Sequence, residues 1–282
     1  MSQALTIAEI LRRSTDWLGA RGSDTPRLDA EVLIAHALGL ERIALYTEAD
    51  RPLTSDELGE CRALIARRGE MVPVAYITGS RAFGRLDLEV TPDVLVPRPD
   101  TEVVVDVVVE LAPQGAAIAD WGTGSGAIAL SVADLRADVA VVALERSPEA
   151  LAVARRNLAA HPPLGTRVRM LESDGMAAVA GERFDVVVSN PPYLVPEDLD
   201  AFPALRHEPV AALVAGPLGT EDHERVIHEA MAALTPGGLV VLEAGEGQAE
   251  AVAGIFTAAG FADLGSRADL AGIPRAIWGR MP

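Results

Sequence analysis

The stretch Phe184-Asp-Val-Val-Val-Ser-Asn-Pro-Pro-Tyr193 brings an amide, two prolines and an aromatic ring to one point of the chain. Phe184 to Val188 is short, apolar and rich in β-branched residues, the composition of a strand buried on both faces of a parallel sheet. Asn190 precedes a proline, which steers it away from the α region toward an extended conformation and carries the strand direction into the tip. Pro191 and Pro192 have no N–H, so the backbone there offers carbonyl acceptors without competing donors. Tyr193 would add a flat wall on which a planar group can lie. Acceptors facing one way beside such a wall suit an NH2 group, and the chemistry expected is the handling of a planar amide or amine. An Asn-Pro turn alone would be only a proline-terminated strand end with a solvated Asn; the order of these residues after a buried strand favours a site.

A second constellation lies upstream. Asp120-Trp-Gly-Thr-Gly-Ser-Gly126 stands between an apolar run and a helical pattern, where glycines let the backbone pass close to a ligand and turn into the helix. Nicotinamide cofactors favour G-x-G-x-x-G. Here Gly122, Gly124 and Gly126 alternate with Thr123 and Ser125 behind a strand-end acid, the spacing found in S-adenosylmethionine enzymes. Glu145 closes the next apolar run, where a carboxylate accepts both hydroxyls of a ribose and selects it over a 2′-phosphate. The competing role for Glu145 is a surface acid capping the helix that starts near Pro148. Asp174-Gly175 follows the third run, where an adenine would be covered, with Asp174 accepting from its exocyclic amine. Asn190 is expected to border the cofactor as well as the substrate.

The elements that must position these residues follow from periodicity. From Thr101 onward helices and strands alternate: helices at Thr101 to Leu111, Ala127 to Leu135, Pro148 to Ala160, Glu221 to Leu234 and Gln248 to Ala259. Strands are expected at Ala116 to Trp121, Val139 to Leu144, Arg167 to Leu171, Phe184 to Ser189 and Gly238 to Glu243, with two short ones near Ala262 to Ser266 and Arg275 to Gly279. Such alternation implies right-handed crossovers, a doubly wound α/β sheet and ligands at the carboxyl ends of its strands. Residues 1–72 instead show helical spacing: Ile7, Ile10, Leu11 and Leu18, then Leu28, Val32, Leu33 and Leu40, then Leu58, Leu64 and Ile65. Ser23 or Asp24 before Pro26, and the Pro52-Leu-Thr-Ser-Asp stretch, are helix starts. Between them and residue 100, Tyr76-Ile-Thr-Gly79, Phe83-Gly84 and alternating Leu86, Leu88 and Val90 predict a β-hairpin linker over residues 73–99. The expected domains are thus 1–72, helical and substrate-recognising; 73–99, the linker; and 100–282, catalytic.

Composition narrows the partners. With 49% hydrophobic and 23% charged residues over 282 positions the chain can fill real cores. The net charge is −17, carried without a single lysine. Binding to a phosphate backbone draws on counterion release and needs a basic face; the doublets Arg67-Arg68 and Arg155-Arg156 read as solvated helix faces, not footprints. No apolar stretch is long enough for a membrane span, and the N-terminus lacks the basic head and apolar run of a secretion signal. A lone Cys61, read as a structural helix residue, excludes an internal disulfide and a cysteine-based zinc cage and suits a reducing cytoplasm. His223 and His228 are poorly spaced to share a metal, and His36 and His207 have no carboxylate arrangement implying zinc. The expectation is a cytoplasmic protein with no metal, no membrane and no direct nucleic-acid partner.

Gly122 to Gly126, Glu145, Asp174-Gly175 and Asn190-Pro-Pro-Tyr193 together resemble the class I S-adenosylmethionine-dependent methyltransferases that modify planar nitrogens. Pro73-Val-Ala-Tyr-Ile-Thr-Gly79, Phe83-Gly84, Val94-Leu-Val-Pro-Arg-Pro-Asp-Thr-Glu102 and Glu208-Pro209 are similar to the bacterial peptide chain release factor glutamine N5-methyltransferase family. The resemblance covers nearly the whole chain and implies a Rossmann-like, seven-stranded, mostly parallel sheet, a small N-terminal helical domain joined by the hairpin, S-adenosylmethionine as methyl donor, and class I release factors, through the glutamine of their GGQ motif, as substrate. A sister family acting on a ribosomal-protein glutamine usually carries a Pro-Arg-Ser-Pro type of motif where this chain has Pro97-Arg-Pro-Asp-Thr-Glu102. Three departures stand out: Trp121 where the family commonly has Leu, Asp100 in place of a Glu, and Gly175-Met176 in place of aromatic residues, so that any stacking on the adenine must come from elsewhere.

The chemistry follows from the amide. Its nitrogen lone pair is spread into the carbonyl, the resonance behind the ~18–20 kcal/mol barrier of a peptide bond. The carbonyls of the Asn190 side chain and of Pro191 are expected to accept the two amide protons, aiming the nitrogen at the methyl and stabilising the positive charge that develops on it. Tyr193 would pack on the amide plane. No base need act first, since the proton becomes acidic only as the methyl arrives. Arg98, between two prolines, either lines the cleft near the cofactor's carboxylate or ties the linker to the catalytic domain. The rival readings are an adenine-N6 or guanine-N2 nucleic-acid methyltransferase, which needs a basic docking surface, and a non-catalytic binding protein that keeps the fold.

Overall fold

The apolar runs after residue 116 assemble into one sheet whose central strands are covered on both faces. A computed structural model describes residues 5–282 and divides them into two units, 5–79 with Pro203–His207, and Ser80–Phe202 with Glu208–Pro282.

The first unit holds α1 (Ile7–Gly19), α2 (Pro26–Leu38), α3 (Ala44–Thr47), α4 (Ser55–Gly69) and α5 (Val74–Thr78). Capping boxes start α1 at Thr6 and Glu9 and α4 at Thr54 and Glu57, each satisfying two otherwise unpaired N–H groups. Ile7, Leu11, Leu18, Leu33, Ile34, Cys61, Ile65 and Ile77 fill its core. Burial raises the Cys61 thiol to about 11, which keeps it inert. Three expectations are corrected here. Leu28 is 44% exposed and Ile34 takes its place inside, because α2 turns a different stripe inward. Arg68 is not solvated: its Nε donates to Asp29 Oδ2 at 2.7 Å, and the Ser23 and Thr25 hydroxyls donate to the same carboxylate. Tyr76 to Thr78 belong to α5, ended by Gly79 in the left-handed region (φ 79°), and not to the hairpin. His207 joins this unit through a 2.9 Å hydrogen bond between its Nε2 and the Glu70 carbonyl.

The second unit opens with a hairpin of β1 (Ser80–Phe83) and β2 (Leu86–Glu89), paired antiparallel. A 3-10 turn at Pro99–Thr101 leads into α6 (Glu102–Leu111). There follow β3 (Ala117–Trp121), α7 (Ala127–Leu135), β4 (Ala140–Glu145), α8 (Pro148–Ala160), β5 (Val168–Glu172), β6 (Phe184–Ser189) and the short α9 (Asp198–Ala201). The chain ends with α10 (Glu221–Ala233), β7 (Leu234–Glu243), α11 (Ala249–Ala258), β8 (Ala262–Ala268) and β9 (Pro274–Arg280). The seven strands lie in the order β5-β4-β3-β6-β7-β9-β8, parallel except for β9, which runs antiparallel to both its neighbours. This is the doubly wound, mostly parallel sheet expected from the sequence.

Alternation along β6 explains its all-apolar text. Val186 and Val188 pack into one layer with α6 and α7, and Val187 into the other with α10 and α11. The strand order reverses between β3 and β6, so the carboxyl ends of these two strands flank the switch point at which such sheets bind ligands. Among the described residues no helix is long and apolar enough to cross a membrane.

Candidate active site

The glycine loop begins as a continuation of the β3–β4 ladder. The N–H groups of Gly122 and Thr123 both donate to the Leu144 carbonyl at 2.9 Å. The chain then bends through Gly122, Gly124 and Gly126, all with positive φ (72°, 57° and 89°), where a side chain would be strained. A Cβ on Gly122 or Gly124 would meet no protein atom within 4 Å, whereas on Gly126 it would press against Leu130 and Met170 where α7 packs on the sheet. The first two glycines leave backbone bare beside a cleft; the third allows close helix packing. Asn157 of α8 holds the loop from behind, donating to the Ser125 carbonyl at 2.9 Å and exchanging two bonds with the backbone of Glu89.

The cleft contains about 1160 Å³ of empty space, part of it open to solvent. Gly122 to Ser125, Glu145, Asp174, Gly175 and Asn190 all border it, as do Arg98, Thr101, Trp121 and Pro192. These expected residues, scattered over the sequence, are thereby brought together. Pro191 is buried and does not line the cleft; its carbonyl makes no hydrogen bond among the described residues. Tyr193 is also absent from the wall. Its hydroxyl donates to Glu243 Oε1 at 3.3 Å, and burial beside that acid pushes its pKa far up.

Each acid has a distinct duty. Glu145 is 9% exposed and accepts from the N–H of Gly124 and of Ser147, both at 2.9 Å. A carboxylate has about four acceptor positions, so capacity remains toward the cleft. The helix-capping role weighed for Glu145 falls to Ser147, whose hydroxyl accepts from Ala150 N at 3.1 Å. Asp120 is fully buried: Oδ2 accepts from the Thr123 hydroxyl at 2.6 Å and from Ala129 N at 3.2 Å, and Oδ1 has no partner among the described residues. Burial pushes its carboxyl up to about 7, against the pull of those two donors. Asp174 lends one oxygen to Arg225 at 2.8 Å and is otherwise exposed.

The raised Asp120 has a stability consequence. An unfolded Asp titrates near ~4, so between that value and about 7 the folded protein holds a proton that the unfolded chain has lost. The resulting stabilisation is complete below the unfolded pKa and is lost as pH rises through the folded one. Asp120→Asn should therefore show a smaller drop in Tm than the unsubstituted protein on going from about pH 4 to pH 8. Equal drops in the two proteins would refute this linkage.

Several contacts at the site were not anticipated. Trp121 donates from Nε1 to Glu229 Oε2 at 2.9 Å, and Arg225, 5.4 Å above its ring, pairs with both Glu229 and Asp174. Trp121 and Asp174 thus share Arg225 as a partner, and both border the cleft. Gly175 is needed there, since a Cβ would lie 2.0 Å from Glu229 Oε2. Glu208 accepts from Val96 N at 3.0 Å and pairs with Arg98, so Arg98 both borders the cleft and is tied down. Gln248 donates to the carbonyls of Tyr193 and Gly219 and fixes the segment after the prolines. Arg98, Gly175 and Glu208 carried a signal in the sequence, whereas Arg225, Glu229 and Gln248 carried none. Among the described residues no group of His, Cys, Asp and Glu side chains could hold a metal ion.

The residues fit S-adenosylmethionine on chemistry alone: bare glycine backbone, a strand-end carboxylate with spare acceptors, and an exposed Asp beside an indole. Comparison with known proteins agrees. The family model of the PrmC N-terminal domain matches residues 9–79, and that of the Methyltransferase small domain matches residues 100–216. Release factor glutamine methyltransferase from Geobacter sulfurreducens is 42% identical over 98% of this chain and 97% of its own, and that from Burkholderia pseudomallei 48% identical over 93% and 94%. A methyltransferase structure from Pyrococcus furiosus superposes with a TM-score of 0.54 at 21% identity, covering 78% of this chain and 96% of its own, which speaks for the fold. With two relatives above 40% identity along almost their whole length, the chain belongs to the release factor glutamine methyltransferase family.

Proposed function

We propose that this chain is a cytoplasmic enzyme that transfers a methyl group from S-adenosylmethionine to the side-chain amide nitrogen, N5, of the glutamine in the GGQ motif of class I peptide chain release factors. The observation that carries this reading is the state of Asn190. Its Nδ2 is turned inward and donates to Thr101 Oγ1 at 3.3 Å, and its Oδ1 makes no hydrogen bond among the described residues. A free carbonyl on a residue that borders the cleft, followed by a proline carbonyl without a partner among the described residues, supports reading it as a receptacle for an NH2 group. It offers two acceptors where an amide brings two protons.

When bound, S-adenosylmethionine supplies an electrophilic methyl on a sulfonium. The chain's own residues do the rest by placement. Gly122 and Gly124 would leave room along the backbone for the donor, Glu145 would hold its ribose hydroxyls, and Asp174 and Trp121 would flank its nucleobase. Asn190 Oδ1 and the Pro191 carbonyl accept hydrogen bonds from the two amide N–H groups, so the nitrogen is aimed and the charge that grows on it is stabilised. Pro192 closes the substrate side, and Tyr193 holds the loop by its bond to Glu243. The proton leaves after transfer, when the nitrogen has become acidic. No metal, nucleic acid or membrane enters this scheme, and the net charge of −17 favours a protein substrate over a phosphate backbone.

The test is mass spectrometry of release factors from cells lacking the protein, supported by transfer of labelled methyl in vitro. A single methyl should vanish from the GGQ glutamine. Label appearing on a ribosomal protein or a nucleic acid, with none on release factor, would overturn the assignment.

A further inference from the structure

Two side chains of α10 hold residues of the cleft wall without bordering the cleft themselves, and the scheme above gives them no part. Arg225 and Glu229 stand one helical turn apart, with Arg225 Nε donating to Glu229 Oε1 at 2.7 Å. The helix beneath them is fixed, since Val226, Ile227 and Ala230 are fully buried in the layer that also holds Phe184 and Val187 of β6. From this base Glu229 joins two separate parts of the wall. Its Oε2 accepts from Trp121 Nε1, at the end of β3, and from the Met176 N–H, beyond β5, both at 2.9 Å. Arg225 reaches a third point: it donates to Asp174 Oδ1 at 2.8 Å, with its guanidinium 5.4 Å from the centre of the Trp121 ring.

One position of the sequence makes room for this arrangement. Gly175 has φ 62°, and a Cβ there would lie 2.0 Å from Glu229 Oε2. A side chain at 175 would therefore push the carboxylate off Trp121 and Met176. Trp121 is 6% exposed, so its N–H needs an acceptor inside the protein. Glu229 is that acceptor. Asp174 is the exposed member of the group: Arg225 takes Oδ1, and Oδ2 makes no hydrogen bond among the described residues. An exposed carboxylate on a loop turns freely, whereas one pinned at a single oxygen by a guanidinium presents the other in a fixed direction.

Resting on the methyl-transfer reading above, we propose that Arg225 and Glu229 are positioning residues for the nucleobase end of the methyl donor and set its preference for adenine. Glu229 holds the Trp121 indole and the Gly175-Met176 backbone together, and Arg225 holds Asp174 so that Oδ2 accepts from the exocyclic amine of the base. A base with a carbonyl oxygen in place of that amine brings one acceptor against another. Rejecting it takes α10 as well as Asp174, because an unpinned carboxylate turns aside.

The test is titration calorimetry of the full chain with S-adenosylhomocysteine and with S-inosylhomocysteine, whose base has a carbonyl oxygen where adenine has its amine. Both α10 side chains are partly exposed, 33% and 27%, so replacing them leaves the core intact. In Arg225→Met, affinity for the adenine ligand should fall about tenfold and that for the inosine ligand should change less than about threefold, so that the preference shrinks. Glu229→Gln should act in the same direction, because its carbonyl can serve Trp121 and Met176 while its NH2 meets Arg225 as donor against donor and releases it. In an Asp174→Ala background, Arg225→Met should cost less than about twofold more, since the pin has nothing left to hold. Equal affinity of the wild-type protein for the two ligands, equal losses for both in Arg225→Met, or a full further loss in the Asp174→Ala background would each overturn the proposal. Wild-type protein that binds neither ligand would instead overturn the donor reading on which the proposal rests.

Discussion

An Asn190→Ala enzyme is expected to lose about 10²-fold in kcat on its release factor, by analogy with removal of one oxyanion-hole donor, while its affinity for S-adenosylhomocysteine changes far less. An amide nitrogen reacts poorly because its lone pair is shared with the carbonyl. What the protein can add is a fixed approach and a partner for the charge that forms on nitrogen. Alanine removes one of the two acceptors and leaves the Pro191 carbonyl alone, so the NH2 group can pivot about its remaining bond. The effect belongs in kcat because the bond strengthens as the nitrogen becomes positive. Single-turnover measurement at saturating cofactor separates this from slow product release. Near-normal turnover in that assay would remove Asn190 from the chemistry.

Glu145→Ala is expected to weaken cofactor binding by about 10- to 150-fold, the equivalent of roughly 1.5–3 kcal/mol for hydrogen bonds to a charged group. Two losses combine in this variant. The acceptors offered to the ribose disappear, and so do those that hold Gly124 N and Ser147 N at 2.9 Å. Glu145→Gln separates the two, because its one carbonyl can keep a backbone partner while its NH2 repels donors. Titration calorimetry with S-adenosylhomocysteine reads both variants, and kcat at saturating cofactor should stay near wild type. An unchanged dissociation constant in Glu145→Ala would show that the carboxylate serves only the loop.

The central strands of this chain were readable because a parallel sheet covered on both faces leaves a largely apolar text, and Phe184–Ser189 is found where that text predicts it. The alternating glycines and the acids at strand ends were readable for a related reason: the fold places the carboxyl ends of neighbouring strands side by side, so a residue's position within its own element fixes its position at the site. Partnerships across the fold were not. Asn190 and Thr101 are 89 positions apart, and Trp121 and Glu229 are 108 apart; periodicity carries no information about which side chains such distant elements will share. Arg68 was misread for the same reason, since its partner Asp29 lies on another helix. Tyr76 to Thr78 were read into the hairpin because Gly79 follows them as a turn residue, but that glycine ends a helix whose start after Pro73 and packed Ile77 hold the segment.

The alternating burial of β6 ties the tip of that strand to the solidity of the whole catalytic unit. Val186 and Val188 are gripped by one layer and Val187 by the other, so Asn190 is held like the end of a bar clamped from two sides. Slack introduced on either side, by a cavity or by warming, reaches the amide site as looseness of aim. Turnover in this protein is therefore a gauge of its interior, and mutations far from the cleft that soften one layer should register there as slowed methyl transfer before they register as unfolding.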